Sequence, residues 1–226
     1  MPKPLSAFEK VLPWTGATAG LLWAANQFLP TVPDSPGDTD AVAAINDAYA
    51  RNLASGFVLL AAALMLAFFS AAVRRAQRAG EAGEAGEAGE AGEAGEATYS
   101  SVAHAGAVAA GGGLSLLAIL QIAISNAAHD GDPAAVATIG QLHLIGWLPA
   151  LVGFVALFWA TGLGGLRNAT LPRWFAIVSI VLGALGVLGP LAMAVYLLLP
   201  LWLVAASAVF ASRQRITVPD PLPTSA

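Results

Sequence analysis

Along the chain, long apolar stretches alternate with short polar ones, and the apolar stretches exceed anything a strand or a water-facing amphipathic helix requires. A helix needs roughly 20 mainly apolar residues to cross a hydrocarbon core of roughly 30 Å. Residues 11–29, 53–73, 102–124 and 139–163 each supply such a run. From Trp174 to Ser212 no charged residue occurs. As one helix at ~1.5 Å per residue this segment would be about 58 Å long, nearly twice the core. It is predicted to fold back at Gly189-Pro190, because proline cannot donate to the helix ladder and disfavours helix in the residue before it. Two spans result, 174–188 and 191–212. The predicted fold is all-α: one domain over residues 1–215, a polytopic transmembrane helical bundle of six spans.

The polar stretches orient this bundle. Lys and Arg in short loops collect on the cytoplasmic side. With six spans, Lys3, Lys10, Arg74, Arg75, Arg78, Arg167, Arg173, Arg213 and Arg215 fall on one side and Arg51 alone on the other. The opposite loops hold Asp34, Asp38, Asp40, Asp47, Asp130 and Asp132. Both termini are therefore predicted to be cytoplasmic. Five spans would move Arg213 and Arg215 outside, against the same rule. Pro13, Trp14 and Trp23 make a poor signal-peptide core, and Asn26-Gln27-Phe28 offers no cleavage site, so the first span is read as an uncleaved helix.

In the first outer loop, residues 30–37 with their three prolines are expected to be irregular. Val42, Ile45 and Tyr49 are at helical spacing, predicting one helix from about Thr39 to Ala79. Residues 79–96 are Ala-Gly-Glu triplets; without proline they do not read as collagen. Their charge and glycine content predict a flexible cytoplasmic loop over 79–97. The proline-rich tail, 216–226, is expected to be disordered.

Composition narrows the chemistry. The chain is 57% hydrophobic and 11% charged, so lipid rather than water is its main solvent. The net charge of -4 is set by the six repeat glutamates and carries no message about nucleic acid. Alanine and glycine abound while lysine occurs only twice, which points to a bacterial origin and a multipass protein of the cytoplasmic membrane. There is no cysteine, which excludes disulfides and thiolate chemistry. Acidic and basic residues are missing from all six predicted spans, where proton relays and ion-coupled carriers place them.

His104 and His143 fall near opposite ends of the predicted bundle, and His129 with His143 lacks a third ligand. No metal or other cofactor is therefore assigned. Gly111-Gly112-Gly113 lacks the lysine and the strand-to-helix setting of a phosphate loop. The sequon Asn168-Ala169-Thr170 lies on the predicted cytoplasmic side.

Two groups of residues remain. Asn26, Gln27, Gln121, Ser125, Asn126, Gln141 and His143 give the outer ends of spans one, three and four an unusual share of neutral polar groups. They either bond to neighbouring helices and interfacial water or line a ligand site. Gln121 is the deepest, and an amide there needs a partner. Gly16, Gly20, Gly111, Gly112, Gly113, Gly183, Gly186 and Gly189 are patterned as close helix contacts.

Leu171-Pro172-Arg173-Trp174, the glycine-spaced span after it, the Gly-Pro break, Pro200-Leu201-Trp202-Leu203, the closing Arg213 and the Arg74-Arg75 exit of span two together resemble a family of actinobacterial multipass membrane proteins of unknown function. The resemblance covers about three quarters of the chain; the triplet repeat is not part of it. It implies six spans and contributes no catalytic residue. Three functions compete. The first is a non-enzymatic accessory or oligomerising subunit, its partner a second copy or another membrane protein. The second is a carrier or receptor for a neutral small molecule or lipid at the outer polar cluster. An enzyme ranks last, with only Asp130 and Asp132 beside His129 to suggest one.

Overall fold

The computed structural model describes residues 6–29, 39–88, 98–169 and 171–216. The expectations for residues 30–37, for the later triplets and for the tail beyond Ile216 lie outside the described residues. Among those described, every regular element is an α-helix: α1 (Ala7–Val11), α2 (Trp14–Asn26), α3 (Thr39–Asp47), α4 (Tyr49–Ala88), α5 (Thr98–His129), α6 (Pro133–Ile145), α7 (Leu148–Arg167), α8 (Arg173–Gly186) and α9 (Pro190–Ile216).

Four helical stretches are long and apolar enough to cross a membrane: Tyr49–Arg78, Tyr99–His129, Pro133–Arg167 and Pro190–Arg213. The first and fifth predicted spans form shorter helices, α2 of 13 residues and α8 of 14. Outward-facing positions are apolar on helix after helix, among them Leu21, Val152 and Leu201, each more than 60% exposed. Such a coat suits lipid and would be a liability in water.

Prolines set two of the breaks, although Pro200 lies inside α9 without ending it. Pro13 and Pro149 each withhold an N–H from the residue four before, Glu9 and Ile145. The helix accordingly stops at Val11 in one case and at Ile145 in the other. The fourth predicted span is thus two helices, α6 and α7, joined through Gly146-Trp147. The helix expected from Thr39 to Ala79 is interrupted only at Ala48. At its far end α4 runs on through Ala88, so the first triplets are helical rather than the flexible loop that their glycines predict. Alanine and glutamate favour helix, and a growing helix has already overcome the cost of nucleation.

The hairpin predicted at Gly189-Pro190 is present. Gly189 takes a left-handed φ of 47°, which glycine adopts without strain, and α9 starts at Pro190. Its arms run back along each other: Gly186 lies beside Val195, and the Trp202 indole donates to Ser179 Oγ at 3.0 Å.

Six of the helices close into a ring in which α2 packs on α4, α4 on α5, α5 on α7, α7 on α8, α8 on α9, and α9 again on α2. Aromatic rings fill its middle. Trp23 of α2 meets Phe154 of α7 and Tyr196 of α9, while Phe158 meets Trp202, which stacks on Phe175. The helices α3 and α6 cover one end around Ile45, Ile124 and Val136. That end carries Asp47, Asp130 and Asp132; the other carries Arg74, Arg75, Arg78, Arg167 and Arg173. At this arginine end Glu9 of α1 pairs with Arg75 at 3.0 Å.

Glycine decides how near the helices come. The tightest seam joins α5 to α7. A Cβ on Gly106 would lie 2.6 Å from the Leu157 nitrogen, one on Gly113 would enter the Ala150 backbone, and one on Gly153 the Ala110 backbone. Gly16 faces Phe69 and Ser207, Gly20 the Pro200 carbonyl, Gly183 the Trp159 indole and Gly186 Val155. A Cβ on Gly111 would lie 3.4 Å from the Ala63 carbonyl oxygen, at the edge of ordinary contact. Gly112 and Gly189 depart from the predicted packing role, since nothing lies within 4 Å of their Cβ positions. Gly112 is turned out of the bundle, and Gly189 serves the turn.

Adjacent glycines should therefore respond oppositely to the same methyl group. Gly113→Ala is expected to cost about 1–3 kcal/mol through overpacking. Gly112→Ala should be neutral or gain up to about 1 kcal/mol, because alanine restricts the unfolded chain. Unfolding in mild detergent measures both.

Candidate functional site

The polar side chains near the aspartate end come from α2, α4, α5 and α6. Asn26 ends α2 and is buried; Ser55, one turn beyond Asn52 on α4, is fully buried. The Ser55 hydroxyl donates to Asn26 Oδ1 at 2.7 Å and ties the two helices together. Gly56 sits against Ala118 and Ile122 of the antiparallel α5, which brings Gln121 to the level of Ser55.

Gln121 is 1% exposed, and its Nε2 has no hydrogen-bond partner. The Ser125 hydroxyl donates to the Gln121 main-chain carbonyl at 2.7 Å, capturing a backbone acceptor and leaving the amide untouched. One turn further out a second clasp joins α4 to α5. The Tyr49 ring stacks on His129 with centroids 4.5 Å apart, and its hydroxyl donates to Asn126 Oδ1 at 3.1 Å. The His129 ring nitrogen Nδ1 lies 3.1 Å from Asn46 Oδ1.

The candidate residues fall into two sets. Asn26, Gln121, Ser125 and Asn126 belong to the junction of α2, α4 and α5. Gln27 and Gln141 are exposed, His143 is half-buried on α6, and no side-chain hydrogen bond ties these three to that junction among the described residues. Asp130 and Asp132 lie in the turn after α5, where Asp132 caps α6 by accepting from the Ala135 N–H at 3.0 Å. Among the described residues no group of three His, Asp or Glu could hold a metal ion.

Sequence reasoning passed over Ser55 and Gln77, although the chain carries a signal for both. Asn52, Ser55, Leu59, Ala62, Leu66, Phe69, Val73 and Gln77 recur every three or four residues, and all eight are buried. This inward stripe of α4 is apolar in the middle and polar at its ends. Gln77 reaches across to α7, donating from Nε2 to the Ala160 carbonyl at 3.2 Å.

With this geometry established, comparison with known proteins adds no relative: no family model matches the chain, and no curated protein or solved structure is similar to it.

The Asn26–Ser55 bond is open to a double-mutant cycle. Ser55→Ala strands a buried acceptor and should cost about 0.5–1.5 kcal/mol. Adding Asn26→Leu should recover part of that loss, since removing both partners is cheaper than removing one. Strictly additive effects would mean that the two side chains do not interact.

Proposed function

We propose that the chain is a six-span protein of a bacterial cytoplasmic membrane, with both termini cytoplasmic, that works as a non-enzymatic accessory subunit. The observation carrying this reading is how the polar groups are used. Asn26 with Ser55, Tyr49 with Asn126 and Asn46 with His129 pair between elements, and the middle of the ring is filled by aromatic rings. Side chains spent on holding helices together are not arranged around a reacting group. The arginine end and the aspartate end support the orientation through the positive-inside rule. α2 and α8 are short for a full crossing, and the turn residues beyond Asn26 and Gly186 extend each toward the interface. Membership of the actinobacterial multipass family that the terminal motifs resemble belongs to the same proposal.

Most of the packing glycines are consumed inside the fold, so an oligomerising role would use what remains outside. That is the outward face of α5, where Gly112 is flanked by exposed Ala105 and Ala109. A second reading, a carrier or receptor for a neutral small molecule or lipid, is favoured by the buried and unpartnered Gln121 amide. Gln121→Leu would remove that ligand's anchor.

Single cysteines test the topology without background, because the chain has none of its own. In intact cells a membrane-impermeant maleimide is expected to label Gly131→Cys and Leu188→Cys and to leave Asn168→Cys and Ser212→Cys unlabelled until the cells are opened. Equal labelling of Ser212→Cys in intact cells contradicts the even number of crossings. In mild detergent the protein should elute with a partner or as an oligomer, and a bare monomer contradicts the accessory role.

A further inference from the structure

The arginine end holds a second concentration of polar groups that the helix-to-helix bonds do not use. Among the described residues, seven buried side-chain nitrogen or oxygen atoms lack a hydrogen-bond partner: Trp23 Nε1, Arg74 Nε, Gln77 Oε1, His104 Nδ1, Gln121 Nε2, Thr161 Oγ1 and Asn168 Nδ2. Four of the seven come from the arginine-end halves of α4, α5 and α7 and lie within about two turns of one another along the helix axes, and a fifth, Asn168, caps α7. The Gln77–Ala160 bond fixes α4 against α7 beside Thr161. Gly164 brings α7 against Tyr99, so α5 runs antiparallel there and His104 comes within about one turn of the level of Thr161. Gly111 against Ala63 sets the α4–α5 register, which places His104 opposite residues 70–74.

Gln77 and Thr161 are 1% and 0% exposed, so neither finds a partner in water. A buried polar group left unsatisfied is destabilising, and several close together are unusual in a native fold. Arg74 and His104 are half-buried: their side chains reach the surface of the bundle while their unpartnered nitrogens are enclosed.

Resting on the membrane reading above, we propose that this junction of α4, α5 and α7 binds the headgroup of an anionic phospholipid whose headgroup carries free hydroxyls, as in phosphatidylglycerol. The Arg74 Nε–H is a charged donor and His104 can donate beside it, a pairing that suits a phosphodiester oxygen. Gln77 Oε1 only accepts, and a phosphodiester has no proton to offer, so a headgroup that bonds to it brings a donor of its own. Headgroup hydroxyls provide it, and Thr161 can bond to either part. An ammonium headgroup would also donate, but the Arg74 guanidinium itself repels it, as do the exposed Arg78, Arg167 and Arg173 at the same end. Basic sites between transmembrane helices on the cytoplasmic side are a recurrent form of lipid recognition.

Native mass spectrometry of the full chain in neutral detergent tests the assignment, with phosphatidylglycerol, phosphatidylcholine and soluble glycerol 3-phosphate as probes. Phosphatidylglycerol should bind in preference to both others. Arg74→Gln should weaken it about tenfold or more, and His104→Leu, at a half-buried position, should weaken it in the same direction. Arg78→Gln, an exposed charge at the same end, should change it little. Equal binding of the two lipids, or an Arg78→Gln loss as large as that of Arg74→Gln, overturns the site in favour of diffuse charge. Glycerol 3-phosphate binding as tightly as the lipid overturns the lipid source. A protein that stays monodisperse without detergent defeats the membrane reading itself, whichever way the lipid arms fall.

Discussion

The backbone-to-backbone approach of α5 and α7 is the constraint on which the rest of the structure depends. Lipid tails are as apolar as leucine, so burial supplies no drive for two apolar helices to associate, and close van der Waals packing must do it. Gly106, Ala110 and Gly113 on α5 meet Ala150, Gly153 and Leu157 on α7 with no room for another carbon. This seam turns Phe154 and Phe158 into the ring, where they reach Trp23 and Trp202. The aromatic centre in turn gives α2 and α9 something to close against.

Polar groups then act where the small residues leave off. Near the aspartate end, Ser55 and Tyr49 hold α4 to α2 and α5. Near the arginine end, Gln77 holds it to α7. A helix whose inward stripe is polar at its two ends and apolar between is fastened at both interfaces and free of polar cost in the core. The difference lies in what is left over among the described residues: the Gln121 amide and the Trp23 indole N–H toward one end, and a cluster around Arg74 and His104 at the other.

Much of the helix order was legible in the sequence, because run length and charge position are strong signals in a membrane-like chain. The Gly189-Pro190 hairpin is the clearest case: an uncharged run too long for one crossing had to turn, and Gly-Pro pairs a residue free to take a positive φ with one that ends a helix, whereas Pro200 in the same run lies inside α9. Pro149 gave no such warning, since residues 139–163 satisfied the length rule as a single span. The break there follows from the missing N–H alone. Which glycines face inward was not legible, because an apolar helix has little contrast between its faces and Gly112 looks like Gly113. Gln77 was hidden among arginines that mark a helix exit, and Thr161 within an apolar run. Only the packed helices show that both are buried and incompletely bonded.

The α5–α7 seam can be measured directly by cross-linking, because the chain contains no cysteine. A Cβ on Gly164 would lie 3.0 Å from that of Tyr99, close to the ~3.8 Å separation of a disulfide. Under mild oxidation in native membranes, Tyr99→Cys with Gly164→Cys should cross-link rapidly within one chain, and Tyr99→Cys with the outward-facing Leu163→Cys should not. Equal cross-linking of the two pairs, or none in the first, would contradict the seam and the ring built on it.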